Sequence, residues 1–184
     1  MEISVPWKRL GVISRFAEKS HCPIGRTALM KFAYLLQTLK NVPLGYDFRL
    51  YSHGPFKADV LDDLEYAEEL NLVEVSKVQY SQGYGYRIQA GKNADFVKSK
   101  GDVPDFLSRY GKDIDWIVET FGGRSAGELE LISTIVFVDR EQSDAPTTLD
   151  SLVKGVREIK PQFSPEEIRQ EALGLLQLKL LKTK

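Results

Sequence analysis

Asp47, Arg49, Tyr51 and His53 fall at alternate positions in the run Tyr46 to His53. A strand there would place a carboxylate, a guanidinium, a phenol and an imidazole on one face, with Tyr46, Phe48 and Leu50 on the other. Such a quartet can bind a phosphate or relay a proton. The plainer arrangement has Asp47 paired with Arg49, and His53 hydrogen-bonded to the Gly54-Pro55 turn. His21 and Cys22 put an imidazole beside a thiol, but adjacent residues do not readily meet as nucleophile and base. The sequence carries no phosphate loop, dinucleotide fingerprint, nucleophile elbow or metal-spaced carboxylate set. Two His and one Cys cannot furnish a His/Cys zinc site. The expectation is a protein that is not an enzyme and carries no cofactor or metal.

Charge is the other chemical resource, and it is unevenly spread. The formal net charge is -1, yet residues 1–55 hold eight Lys and Arg against three Asp and Glu. Residues 56–74 reverse this, with Lys57 alone against Asp59, Asp62, Asp63, Glu65, Glu68, Glu69 and Glu74. Apolar residues Phe56, Val60, Leu61, Leu64 and Ala67 recur there at helical spacing, so the reading is a helix over 56–70 with its carboxylates outward. Those carboxylates are either a solvated face or a surface that steers a basic partner into place. Asp59, Asp62, Asp63, Glu65 and Glu69 are the candidate partner-binding residues.

The elements that must position these groups follow from periodicity and breakers. Trp7 to Lys19 reads as a helix through Trp7, Leu10, Ile13 and Phe16. A second helix from Gly25 carries Ala28, Leu29, Phe32, Leu35, Leu36 and Leu39, a stripe wide enough to be central to the core. Gly54-Pro55 ends the short strand, and Pro55 suits the first turn of the acidic helix because its missing N–H costs nothing there. Leu72 to Tyr80 and Tyr84 to Ile88 read as two strands around a Ser81-Gln82-Gly83 turn. Helix, helix, short strand, helix and hairpin is the order of a winged helix, with the hairpin as wing.

Helices follow from Asp105 to Phe121, from Ser125 with Glu128 at capping-box spacing, from Thr148 to Ile159, and after Ser164-Pro165. The polar run Arg140 to Thr147 reads as a loop and a mobile excursion. The expected fold class is mainly α (α+β): a winged-helix-like core over 1–100 and a helical extension over 101–184 packed on it. The 184 residues suffice to bury a core without external staples, and the lone Cys22 excludes an intramolecular disulfide. The N-terminus lacks an apolar signal segment and no window of about 18 apolar residues occurs, so the expected setting is cytoplasmic, without a membrane.

The segment Arg26 to Gln37, RTALMKFAYLLQ, followed by Gly45 to Phe56, GYDFRLYSHGPF, resembles the Panacea or SocA-like antitoxin domain family. It is closer still to the YwgA-like bacterial proteins. The likeness covers roughly residues 25–75 and rests on a "YLLQ" helix and on the turn Tyr51, Gly54, Pro55 and Phe56. It implies a winged-helix-like regulatory domain without known catalysis, paired in antitoxins with varied toxins. The function expected is therefore a non-enzymatic regulatory or antitoxin-type adaptor acting by protein–protein contact, with the acidic helix as docking surface and a basic toxin among its possible partners.

The alternative is a nucleic-acid-binding transcriptional regulator. A helix entering the major groove brings cations to base edges and phosphates. The third helix brings six carboxylates and one lysine, which opposes the counterion-release term that drives such binding. Nucleic acid is thus disfavoured at that helix. A basic surface of Lys8, Arg9, Arg15, Arg26, Lys31, Lys77, Arg87 and Lys92, aided by Tyr80, Tyr84 and Tyr86, remains open to it; the plain reading is solvated faces and a cross-strand aromatic ladder.

Overall fold

The computed structural model describes residues 5–141 and 148–183. Among them the chain is mainly helical with α+β character, holding seven α-helices and two two-stranded antiparallel sheets. No helix among the described residues is long and apolar enough to cross a membrane. Packing divides the chain into two units, Met1–Asp47 with Lys57–Arg124, and Phe48–Phe56 with Ser125–Lys184.

In the first unit, α1 (Trp7–Lys19) buries Leu10, Val12, Ile13 and Phe16 as its spacing requires. Helix α2 (Arg26–Leu39) has every residue from Leu29 to Leu36 buried, which accounts for a stripe too wide for a solvent-facing helix. Phe16 meets Phe32 edge-on at 5.5 Å between ring centres. After α2, residues Val42, Leu44 and Tyr46 are buried while Asn41, Pro43, Gly45 and Asp47 are exposed. Alternation is thus real but begins earlier than the sequence pattern suggested.

Helix α3 (Asp59–Glu69) starts later than expected, because Phe56 belongs to a strand. It buries Val60, Asp63, Leu64 and Ala67. Asn71, at φ +56°, turns the chain out of it. Strands β3 (Val73–Tyr80) and β4 (Gly83–Ala90) then pair from Val73↔Ala90 to Tyr80↔Gly83 around a two-residue turn. Ile24, just before α2, adds an antiparallel bridge to Ile88 of β4. A 3-10 turn at Phe96–Ser99 leads into α4 (Val103–Phe121), whose Asp115 takes a two-pronged bond from Arg15, Nε–Oδ1 2.7 Å and NH2–Oδ2 2.8 Å.

In the second unit, β1 (Arg49–Tyr51) and β2 (Gly54–Phe56) form a tight hairpin whose register sets Arg49 opposite Phe56, Leu50 opposite Pro55 and Tyr51 opposite Gly54. Pro55 is therefore an edge-strand residue and not the first residue of a helix. Proline tolerates either setting because neither asks for its N–H. The hairpin packs on α5 (Ala126–Glu141), which is apolar and buried on most sides. The capping box is present: Ser125 N–H donates to Glu128 at 2.8 Å and Glu128 N–H to Ser125 Oγ at 3.3 Å. Helices α6 (Leu149–Ile159) and α7 (Pro165–Gln177) carry the same box from Thr148 and Ser164. Asp139, 2% exposed, accepts from the backbone N–H groups of Lys182 and Thr183 and from the Thr183 hydroxyl, which pins the final turn. The expected loop at Arg140 to Thr147 begins late, since α5 runs through Glu141; residues 142–147 lie outside the described residues.

Candidate functional site

The turn Tyr51 to Phe56 is built against α5. Gly54 has φ +87°, and a Cβ there would sit 3.1 Å from Thr134 Oγ1 and 3.2 Å from Ser133 Oγ. Only glycine meets both demands. The Ser133 and Thr134 hydroxyls donate back to the Glu130 carbonyl at 3.1 and 2.7 Å, so the helix presents a hydrogen-bonded floor to the turn. Tyr51 stands edge-on to Phe56 at 5.6 Å and is 58% exposed.

Beneath this turn lies a charged cluster. Lys160, 2% exposed at the end of α6, donates from Nζ to Glu130 Oε1 at 2.7 Å and to the Ser52 carbonyl. Gln162 donates to Glu130 Oε1 at 3.1 Å, and His53 Nδ1 lies 3.2 Å from Glu130 Oε2. Burial alone would push the Glu130 carboxyl up; the bonds from Lys160 and His53 outweigh it and hold it below the usual carboxylate range. His53 thus bonds a carboxylate on α5 and not the Gly-Pro turn. It sits in the two-residue turn beyond β1, while Asp47 precedes β1, so the ladder carries Arg49 and Tyr51 but not the whole expected face. Lys160 is committed to two acceptors, and what the cluster does best is hold the turn in place.

The acidic helix separates into two faces. Asp62, Glu65, Glu68 and Glu69 are exposed and Asp59 half-buried, with a 3.3 Å contact to Lys57. Asp63 departs from the expectation: it is buried and points inward. Its Oδ2 accepts the Tyr46 hydroxyl at 2.6 Å and Arg9 Nε at 2.9 Å, and the Arg9 guanidinium lies 4.9 Å over the Tyr46 ring. Burial pushes the Asp63 carboxyl above its usual range, partly offset by Tyr46 and Arg9. Burial and the neighbouring carboxylate push the Tyr46 phenol up as well. Gln37 completes this lock by clasping the Tyr46 backbone, donating to its carbonyl at 2.8 Å and accepting its N–H at 3.0 Å. Asp63 is consequently a positioning residue of the fold, not part of an outer acidic face.

Two features escaped sequence reading although signals existed. Asp63 falls on the stripe Val60, Leu64, Ala67, so its helical position already placed it inward. Glu130 is followed by the uncharged run Leu131 to Val138 in a buried helix, where a lone carboxylate requires a partner. His21 and Cys22 are both exposed between α1 and α2. Among the described residues no group of three or more His, Cys, Asp or Glu is arranged to hold a metal ion. A shallow concavity of about 320 Å³ in the first unit is lined by Lys8, Asp102, Asp105, Phe106, Arg109 and Tyr110, with Lys8 and Asp102 already paired at 2.6 Å. Compared with protein-family models and with curated proteins, the chain finds no match.

Proposed function

We propose that this protein is a non-enzymatic regulatory or antitoxin-type adaptor with a winged-helix-like core, acting through protein–protein contact at the outer face of α3. The antitoxin element of this reading rests on the resemblance of residues 25–75 described above. The topology supports the winged-helix element: α1, the Ile24 bridge, α2, α3 and the β3–β4 hairpin occur in that order, with Ile24 joined to the second hairpin strand.

One observation carries the docking surface. Asp62, Glu65, Glu68 and Glu69 are exposed and have no ion-pair partner among the described residues. Their spacing sets like charges three and four residues apart, and Glu68 and Glu69 occupy a last turn with no basic residue, where the helix dipole disfavours anions. Each placement costs the isolated helix a few tenths of a kcal/mol. A basic partner would convert this local cost into steered, salt-sensitive association. The same charges argue against α3 entering a DNA groove.

The test compares wild type with the Asp62→Lys, Glu69→Lys variant in affinity capture with cross-linking. The expected outcome is loss of a basic partner whose association slows as salt rises, in a variant at least as stable as wild type. Retention of every wild-type partner by the variant removes the acidic-docking reading.

A further inference from the structure

We infer that one face of the β3–β4 hairpin, together with Arg26 at the start of α2, is a binding surface for single-stranded nucleic acid. This goes beyond the docking reading of α3 and does not rest on it. Paired residues of an antiparallel ladder share a face. Val75↔Ile88, Lys77↔Tyr86 and Gln79↔Tyr84 therefore project to one side, and Ser76↔Arg87 and Tyr80↔Gly83 to the other. On the first side the Lys77 ammonium lies 3.6 Å over the Tyr84 ring, Tyr84 meets Tyr86 edge-on at 5.8 Å, and the Arg26 guanidinium lies 3.6 Å over Tyr86. Two cations and two aromatic rings thus form one continuous row.

The outer end of the row fills no core. Tyr84 is 57% exposed at the end of the hairpin, and an exposed cation over a ring is worth only about 0.5–1 kcal/mol. No Asp or Glu occurs from Val75 to Ala90, although the whole chain is net acidic, and Glu74 lies on the opposite face with Gln89. Arg26 and Lys77 have no carboxylate within ion-pair distance among the described residues, and Arg26 Nε is buried without a hydrogen-bond partner. The first turn of α2 holds no acid either. Cations without a carboxylate partner, spaced along one exposed and one half-buried ring, suit a polymer of phosphates and π-faced bases. A duplex keeps its bases stacked on one another, so the rings favour unpaired strands.

The test is fluorescence anisotropy of the full chain with labelled oligo-dT and oligo-U of about twelve nucleotides and with a duplex of the same length, at low salt. Both single strands should bind more tightly than duplex, with log affinity falling against log salt by about 0.7 per phosphate neutralised. Tyr84→Ala should weaken binding about tenfold, and Tyr84→Phe, which keeps the ring, should restore it. Lys77→Gln should reduce the salt slope by about 0.7. Tyr80→Ala, on the other face, should change affinity less than about twofold, and the Asp62→Lys, Glu69→Lys variant should bind at least as well as wild type. Absence of binding at low salt, preference for duplex, or equal loss from Tyr80→Ala and Tyr84→Ala overturns the assignment, whatever α3 does.

Discussion

The Tyr46 hydroxyl donates a 2.6 Å hydrogen bond to Asp63 Oδ2, the same oxygen that receives Arg9 Nε at 2.9 Å. Three segments are joined by one carboxylate: α1 through Arg9, the extended run after α2 through Tyr46, and α3 through Asp63. Because Gln37 clasps the Tyr46 backbone, α2 joins the same lock. Tyr46→Phe removes one donor from a buried carboxylate and should cost about 1–3 kcal/mol, read as a lower urea midpoint at unchanged slope. The pH dependence has a definite sign. With its folded pKa raised above the unfolded value near 3.8, Asp63 contributes stability that is complete below that value and lost as pH rises through the folded pKa. Relative to Asp63→Asn, wild type should therefore gain stability as pH is lowered through that window. Urea titrations of both proteins at several pH values measure it, and the opposite slope would sink the claim that burial dominates at this site.

Gly54→Ala meets two separate obstacles, a φ of +87° and contacts of 3.1 and 3.2 Å from its Cβ to the Thr134 and Ser133 hydroxyls. The expected cost is about 1–3 kcal/mol, concentrated in the β1–β2 hairpin, whose amides should exchange hydrogen faster. Gly45→Ala is the control. Its φ is +76°, but nothing lies within 4 Å of the added Cβ. It should show the backbone cost alone, about 1 kcal/mol. If both variants lose the same stability, packing on α5 is not what requires glycine in the turn.

Lys160→Met strands Glu130 in a site 13% exposed and leaves the Ser52 carbonyl without its ammonium donor, so unit-two stability should fall by roughly 2–4 kcal/mol. Replacing both partners, Lys160→Met with Glu130→Met, should recover part of that loss, which a double-mutant cycle by urea unfolding detects. Here the pH sign is opposite to that of Asp63. The depressed Glu130 carboxyl contributes stability present above about pH 4.5 and lost as pH falls through its folded value. Across that window the protection factors of the hairpin amides, corrected for the slower intrinsic exchange at low pH, should fall on acidification in wild type, and to a smaller degree in Lys160→Met.

Much of this protein was legible in its residues. Most helix spans, the box at Ser125, the N-cap at Ser164, the two strands around the Ser81-Gln82-Gly83 turn and the central place of α2 depend on interactions reaching four residues or fewer, or on a stripe read along one element. What remained hidden depends on partners far apart in sequence. Pro55 is compatible with a helix start or an edge strand, and packing of Gly54 on α5 selected the strand. Asp63 counts as one more surface charge until Arg9 and Tyr46 arrive to satisfy it in the interior. Nothing near Lys160 in the chain signals its role, and only the fold carries Glu130 and the Ser52 carbonyl to its ammonium. Asp47, Arg49, Tyr51 and His53 were set on one strand by alternation, whereas the tertiary structure ends the ladder at Tyr51 and turns His53 to Glu130. Local chemistry sets the conformation of short stretches, but whether a charge is outward or buried is decided by which counter-charge the rest of the chain brings to it.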